Sequence, residues 1–144
     1  MNERYLLDTS AILALRDDEP GADDVESILR KSESGEAEVY VSFMTYMEAY
    51  YRIWRLEGEE SAKRIYAELL SLPVLRIDVN DRILLRAGAI KANYRLSVAD
   101  SWIIASAMEV KASLVHKDPE FEQVEDIVSL IFLPYKDCGG LRNG

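Results

Sequence analysis

The sequence predicts one α/β domain, a three-layer α/β/α sandwich with a five-stranded, mainly parallel sheet. The first observation is a length of 144 residues with 49% hydrophobic content, which suffices for one core and not for two. The second is a set of five short runs rich in Val, Ile, Leu and aromatic residues. Most of these runs are continuous, as in strands that are buried on both faces. The third is helical spacing of apolar residues between the runs, which predicts right-handed crossovers between parallel strands.

The predicted elements follow one another along residues 1–144 as a single domain, without a linker or an internal repeat. A short helix is predicted to begin near Ser10, and Gly58 divides residues 43–72 into a helical hairpin. Residues 134–144 hold three glycines and few apolar residues, so we expect a flexible tail. The strands are predicted at residues 5–7, 39–41, 74–77, 114–116 and 130–133.

The composition excludes several classes of protein. Lys and Arg number 17 against 26 Asp and Glu, and the net charge of −9 argues against a basic surface that coats nucleic acid. It does not exclude a nucleic-acid enzyme whose acids bind metal ions. A single Cys and a single His exclude an internal disulfide, a cysteine-built zinc site and a two-histidine zinc helix. No stretch resembles a secretory signal or approaches the roughly 20 apolar residues of a membrane span, so we expect a cytoplasmic protein.

Four acidic residues stand at or near the edge of the sheet where parallel α/β proteins bind their ligands, outside the carboxyl ends of the strands. Asp8 follows the first predicted strand directly, and Asp118 comes two residues after the fourth. Glu48 lies about one turn into the helix after the second strand. Asp100 opens the helix before the fourth strand, and it reaches this edge if residues 95–97 carry the chain back across the sheet.

Each acid taken alone also has a structural explanation, because all four stand where a helix N-terminus is capped. Taken together they are harder to explain this way, since like charges about 4 Å apart repel by roughly 4 kcal/mol at an effective dielectric of 20. A cation would relieve that repulsion, and oxygen ligands without His or Cys favour Mg²⁺ or Mn²⁺. Asp8 would cap the helix that begins near Ser10, and Asp118 would be an N-cap followed by Pro119. Glu48 would form a capping box with Thr45, and Asp100 would form one with Ser97.

Four stretches of the chain resemble the motifs of PIN-domain ribonucleases, in the family's order and over essentially the whole length. They are DTSAIL at residues 8–13, Glu48, VADSWIIA at residues 98–105 and LVHKDPEF at residues 114–121. The compact length is similar to that of VapC-type toxins of toxin–antitoxin pairs. One position departs from the pattern, because the family commonly has Thr or Ser where this chain has His116. For His116 we expect an imidazole bonded to backbone, with contact to a phosphate as the alternative.

The resemblance implies a parallel sheet with the first strand at its centre and a catalytic quartet of Asp8, Glu48, Asp100 and Asp118. It implies that Asp8 and Asp100 are the main ligands of Mg²⁺ (or Mn²⁺), with Glu48 and Asp118 acting through bound water or on a second ion. Ser10 would support Asp8 by hydrogen bonding. The implied activity is endonucleolytic hydrolysis of RNA that leaves a 5′-phosphate and a 3′-hydroxyl. The implied partners are a VapB-type antitoxin and a second copy of the chain, as a homodimer or higher homo-oligomer.

Local positive charge must attract RNA to a protein of net charge −9. Arg52 and Arg55 share a face of the helix that carries Glu48, and Lys117 adjoins Asp118, so these three are candidates for positioning RNA. Lys91 and Arg95, before the Asp100 helix, are further candidates. The alternative for each is an ordinary solvated surface charge.

Residues 40–54 contain six of the thirteen aromatic residues. Phe43, Met47, Tyr50 and Trp54 share one helix face, and we expect this stripe to lie mainly in the core. The breadth of the apolar surface nevertheless indicates that part of it meets a partner.

Four other functions remain open on the sequence alone. A phosphoaspartate phosphatase would have a second Asp where Ser10 stands, and a receiver domain would have an acidic pair after the first strand, which is missing. A PIN-like fold that only binds is disfavoured by the intact acids. Some PIN proteins process or degrade RNA without acting as toxins.

Overall fold

A computed structural model of the chain describes residues 2–135, and its centre is a five-stranded sheet in which every neighbouring pair is parallel. The strand order is β3-β2-β1-β4-β5, so the first strand is central and the order reverses between β1 and β4. The predicted fold class is therefore confirmed. The strands are β1 Glu3–Leu7, β2 Ala37–Ser42, β3 Leu75–Ile77, β4 Ser113–His116 and β5 Leu130–Phe132.

Helices connect the strands as the spacing of apolar residues predicts. Gly58 ends one helix and begins the next with φ at 100°, which confirms the helical hairpin. The helices are α1 Thr9–Arg16, α2 Ala22–Glu33, α3 Phe43–Glu57, α4 Glu59–Ser71, α5 Asp81–Asn93, α6 Val98–Val110 and a 3-10 helix, Pro119–Val124. No helix within residues 2–135 is long and apolar enough to cross a membrane.

Two hydrophobic cores lie on opposite faces of the sheet. Leu7 belongs to the core under α1 to α4, together with Ile53, whereas its neighbour Leu6 belongs to the core under α5, α6 and the 3-10 helix, together with Ile104. Successive side chains of a strand point to opposite faces, so a strand covered on both sides must be apolar at consecutive positions. This geometry explains the continuous apolar runs in the sequence.

The aromatic stripe of α3 is not in the core, and that prediction is wrong. Met47 is 61% exposed and Trp54 is 43% exposed. The buried positions of α3 are instead Thr45, Tyr46, Ala49 and Ile53. The helix has two apolar stripes, and the buried one contains the small residues Thr45 and Ala49.

The segment after β5 is described as far as Tyr135. The Tyr135 hydroxyl donates a hydrogen bond to the Glu122 carboxylate at 2.6 Å. The remainder of the tail predicted at residues 134–144 lies outside the described residues.

Candidate active site

Asp8 leaves the end of β1 and is almost fully buried, with 3% exposure. Its Oδ1 accepts the Ala11 backbone N–H at 2.9 Å, so Asp8 is the N-cap of α1. Its own N–H donates to the Val115 carbonyl of β4 at 3.1 Å. The capping explanation is therefore correct, and it also fixes the carboxylate at the point where the strand order reverses.

Ser10 connects the first acid to the loop after β4. Its hydroxyl donates to Asp8, with Oγ at 2.7 Å from Oδ1 and 2.9 Å from Oδ2. The same oxygen accepts the Lys117 backbone N–H at 2.8 Å. Ser10 thus orients the Asp8 carboxylate and ties two sides of the crevice together.

Glu48 projects from α3 toward α1. Its Oε1 accepts the Thr9 hydroxyl at 2.7 Å, and Thr45 Oγ1 lies 3.1 Å from that hydroxyl. The predicted capping box of Thr45 and Glu48 does not form, because the N-cap of α3 is Ser42. Thr9 is the residue that sequence reasoning missed, although it lies inside the DTS motif.

Asp100 lies in the first turn of α6, where Ser97 is the N-cap and accepts the Asp100 backbone N–H at 3.0 Å. The preceding loop is held to the 3-10 helix by Gln123. The Gln123 side chain accepts the Arg95 N–H at 3.0 Å and donates to the Arg95 carbonyl at 3.1 Å. These bonds tie the loop before α6 to the 3-10 helix that follows β4. The loop thereby brings Asp100 toward the carboxyl ends of the strands, as its predicted place in the site requires. Gln123 carries no signal in the sequence that would have identified it.

Asp118 is the N-cap of the 3-10 helix, and its Oδ1 accepts the Glu120 N–H at 2.9 Å. Its own N–H donates to Nδ1 of His116 at 3.2 Å. His116 is fully buried, so the expectation of an imidazole bonded to backbone is met, and a buried ring leaves no room for contact with a phosphate. Burial also lowers the pKa of His116 and keeps the imidazole neutral.

The four acids act on one another electrostatically. The pKa of Asp8 is raised to about 7, chiefly by burial and further by the charges of Asp100 and Asp118. The pKa of Asp100 is raised to about 6, again chiefly by burial and then by Glu48 and Asp118. Each acid therefore interacts electrostatically with at least one other.

This donor set suits a hard cation, because it offers carboxylate oxygens and no accessible His or Cys. Within residues 2–135, no three Asp, Glu, His or Cys side chains already form a group that could hold a metal ion. The charges of neighbouring acids contribute to the raised pKa values of Asp8 and Asp100, and neutralising such repulsion is what a divalent cation does.

Lys117 is not a candidate for contacting RNA, and that prediction is wrong. Its side chain is only 3% exposed, and Nζ donates to the Pro20 carbonyl at 2.8 Å and lies 3.4 Å from Glu19. The side chain anchors the loop between α1 and α2. A cavity of about 300 Å³ lies beside these groups and is also lined by Arg52.

The other basic candidates lie on the surface. Arg52 and Arg55 are exposed on α3, and the Arg55 guanidinium lies 5.2 Å from the centre of the Tyr51 ring. Lys91 and Arg95 are exposed at the end of α5 and in the loop before α6. Of the predicted set, Arg52 lies at the cavity that contains Ser10 and Asp118.

The molecule is thus an α/β protein with a fully parallel sheet, in which Asp8 and Asp118 follow the two strands between which the order reverses. The PIN-domain family model matches residues 5–127, and the chain belongs to this family. This membership replaces the phosphatase and receiver alternatives. The comparison with curated protein sequences gives no match.

Several solved structures share the fold. The VapBC2 structure from Rickettsia felis, bound to a promoter DNA fragment, matches with a TM-score of 0.72 and 16% identity over 91% of this chain and 99% of that chain. VapBC-1 from nontypeable Haemophilus influenzae matches with a TM-score of 0.63 and 24% identity over 90% of this chain and 97% of that chain. VapC20 from Mycobacterium tuberculosis is described as a toxin that cleaves the sarcin–ricin loop. It matches with a TM-score of 0.65 and 17% identity over 83% of this chain and 94% of that chain. The predicted resemblance to VapC-type PIN domains is confirmed at the level of the fold.

Proposed function

We propose that this protein is a metal-dependent endoribonuclease and the toxin of a VapBC-type toxin–antitoxin pair, acting in the cytoplasm. The observation that supports the proposal most is that, within a PIN-domain fold, Asp8 and Asp118 follow the two strands between which the order reverses, and the charges of Glu48 and Asp118 act on Asp100. Burial and mutual repulsion raise the pKa values of Asp8 and Asp100, as expected for a site that is completed by a cation.

Asp8 and Asp100 are the proposed main ligands of Mg²⁺ or Mn²⁺, with Glu48 and Asp118 completing the site through water or at a second ion. A bound Mg²⁺ supplies a water of lowered pKa and offsets the negative charge that builds on the phosphoryl oxygens. The chain itself orients the carboxylates, since the hydroxyl of Ser10 holds Asp8. Burial of Asp8 excludes competing water from its side of the site.

RNA is the proposed substrate, and Arg52 and Arg55 are the proposed contacts to its backbone. Both are exposed on the helix that carries Glu48, and Arg52 lines the cavity next to Asp118. A few local cations on a protein of net charge −9 favour a nuclease that selects its target over one that degrades RNA in general.

A cleavage assay with 5′-labelled RNA tests this function. We expect cleavage with Mg²⁺ that stops in EDTA and is lost in Asp100→Asn, with products that carry a 5′-phosphate and a 3′-hydroxyl. The matched control is Asp23→Asn, which removes the same charge from an exposed position in the first turn of α2. Undiminished cleavage by Asp100→Asn, or cleavage unaffected by EDTA, would refute the proposed site.

The toxin role is supported by the fold it shares with VapBC complexes. The proposed antitoxin would place a basic residue among the acids and neutralise the same repulsion as the metal. We expect expression of the protein to arrest growth, and co-expression of the antitoxin to relieve the arrest. Normal growth of cells that contain a fully active nuclease would favour a role in RNA processing or decay.

A second copy of the chain is the proposed occupant of the exposed patch on α3 and α4, defined as Met47, Tyr50, Trp54 and Tyr66. Isolated monomers seldom expose large contiguous apolar surfaces, and aromatic residues with Met are typical of interfaces. Light scattering should give a dimer or higher oligomer that Trp54→Ser weakens. The control is Phe132→Ser, which replaces an exposed aromatic residue outside the patch, on the edge strand β5. A monomeric wild-type protein would contradict this assignment.

A further inference from the structure

His116 makes a specific hydrogen bond at the edge of the acidic cluster. Its Nδ1 accepts the backbone N–H of Asp118 at a distance of 3.2 Å, two residues along the chain. A nitrogen that accepts an N–H carries no proton, so the proton of the neutral imidazole is on Nε2. The contact therefore assigns one tautomer to the ring.

Packing alone does not account for an imidazole at this position. The ring is fully buried, with centroid distances of 5.2 Å to Phe121, 6.1 Å to Tyr135 and 6.5 Å to Phe132. Nε2 is the one buried side-chain nitrogen or oxygen without a hydrogen-bond partner among residues 2–135. An aliphatic or phenyl side chain would fill this aromatic pocket without burying an unpaired donor. The group that distinguishes histidine here is Nδ1, and its partner is Asp118.

The backbone of Asp118 determines where its carboxylate points. Asp118 is extended, with φ at −121° and ψ at 116°, between the end of β4 and the 3-10 helix. Its Oδ1 accepts the N–H of Glu120, while its charge acts on Asp8 and Asp100 across the crevice. The bond to Nδ1 is the one that fixes the Asp118 N–H itself, since the Lys117 N–H is bonded to Ser10 and the Asp118 carbonyl accepts the Phe121 N–H.

We propose that His116 is a positioning residue, whose neutral Nδ1 holds the Asp118 backbone and thereby aims the Asp118 carboxylate at the acidic cluster. His116 does not touch substrate, because its ring is buried. The inference rests on the proposed nuclease function, and it names the chain's own residue that prepares one carboxylate for the cation. Outer groups that orient metal ligands are worth about 10- to 100-fold in metal affinity or activity.

Three substitutions separate positioning from packing. His116→Asn can place an oxygen acceptor where Nδ1 stands, whereas His116→Gln places its amide near the position of Nε2. His116→Leu keeps apolar bulk and has no acceptor. If Nδ1 is what matters, we expect Mn²⁺ affinity to fall about 10-fold or more in the Gln and Leu variants and to be largely rescued in the Asn variant. A packing role predicts that Asn, the smallest of the three, is the worst.

Mn²⁺ binding is measured by electron paramagnetic resonance, and RNA cleavage is measured alongside it. The Gln and Leu variants should lower kcat while leaving KM for RNA within about 2-fold, because the RNA contacts are elsewhere. Equal Mn²⁺ affinity of the Asn and Gln variants would overturn the positioning role. Asp23→Asn again serves as the control for a distant surface substitution.

A magnetic resonance measurement on the wild-type protein needs no substitution and no activity. The chain has a single histidine, so its imidazole nitrogens are unambiguous. We expect the proton on Nε2 and a scalar coupling across the hydrogen bond between the Asp118 amide nitrogen and His116 Nδ1. A proton on Nδ1 would overturn the inference whatever the enzyme does. Wild-type protein that shows the coupling but neither binds Mn²⁺ nor cleaves RNA would instead overturn the nuclease proposal.

Discussion

Asp8→Asn should make the protein more stable while abolishing its activity. Asp8 is buried at the end of the central strand, and the charges of Asp100 and Asp118 oppose its ionisation. Asn is a comparably good N-cap, so its side-chain oxygen can still accept the Ala11 N–H. The substitution therefore removes a buried negative charge and keeps the local structure.

The size and sign of the effect follow from the pKa of Asp8, which is raised to about 7 in the folded protein, chiefly by burial. The folded state holds the proton more tightly than the unfolded state, so stability falls as the pH rises from about 4 to about 7, and the cost is complete above that range. A pKa difference of about 3 corresponds to about 4 kcal/mol. Burial of the Asn amide offsets part of this, and we expect a gain of about 2 to 4 kcal/mol at pH 8.

Urea unfolding in EDTA at pH 5 and pH 8 measures the effect. The advantage of Asp8→Asn should shrink toward pH 5 by about 1.4 kcal/mol for each pH unit below 7. Asp23→Asn, on the surface of α2, should change stability by no more than about 0.5 kcal/mol at either pH. The reasoning is refuted if Asp8→Asn is as stable as the wild type at pH 8, or if its advantage is the same at both values.

Three further predictions concern the metal and the loops. Mg²⁺ at 100 times its Kd should stabilise the wild type by about 2.7 kcal/mol and Asp8→Asn by much less, as measured by thermal unfolding with EDTA as the reversal. Lys117→Met should cost about 1 to 3 kcal/mol in urea unfolding, because the Pro20 carbonyl loses its buried donor; an unchanged midpoint would contradict the anchoring role. Gly21→Ala should cost about 1 to 3 kcal/mol, since φ is 101° and a Cβ would lie 2.9 Å from Leu133 Cβ; wild-type stability would show that this turn tolerates a side chain.

The strands could be predicted because a sheet covered on both faces leaves a direct trace in the sequence. Leu6 and Leu7 enter different cores, and only consecutive apolar residues satisfy both. The acids could be placed for a related reason, since Asp8 and Asp118 follow strands whose direction the crossovers determine. Capping does not exclude a role in the site, because the Asp8 carboxylate is the N-cap of α1 and is also acted on by the charges of Asp100 and Asp118.

The errors arise where a choice depends on tertiary contacts. Periodicity shows that α3 has apolar stripes, but it does not say which stripe meets the sheet, and the aromatic one was the wrong choice. Proximity in sequence to Asp118 makes Lys117 look like an RNA contact, whereas its side chain is buried and bonded to the Pro20 carbonyl. The hydrogen bond from Thr9 to Glu48 joins residues 39 positions apart, so no local sequence pattern predicts it.

The two cores that enclose β1 hold Asp8 more firmly in the sheet than the other acids are held. Leu6 and Leu7 pack into cores on opposite faces of the central strand, and β2 and β4 pair with that strand on either side. The backbone of Asp8, at the end of the strand, is therefore held in position. Asp100 and Asp118 lie outside the sheet, at the N-terminal ends of α6 and of the 3-10 helix, and Asp118 is held there by its hydrogen bonds to Glu120 and His116. If the site binds a cation as proposed, we expect the central strand to determine the position of one ligand, and the helix ends to determine the positions of the others.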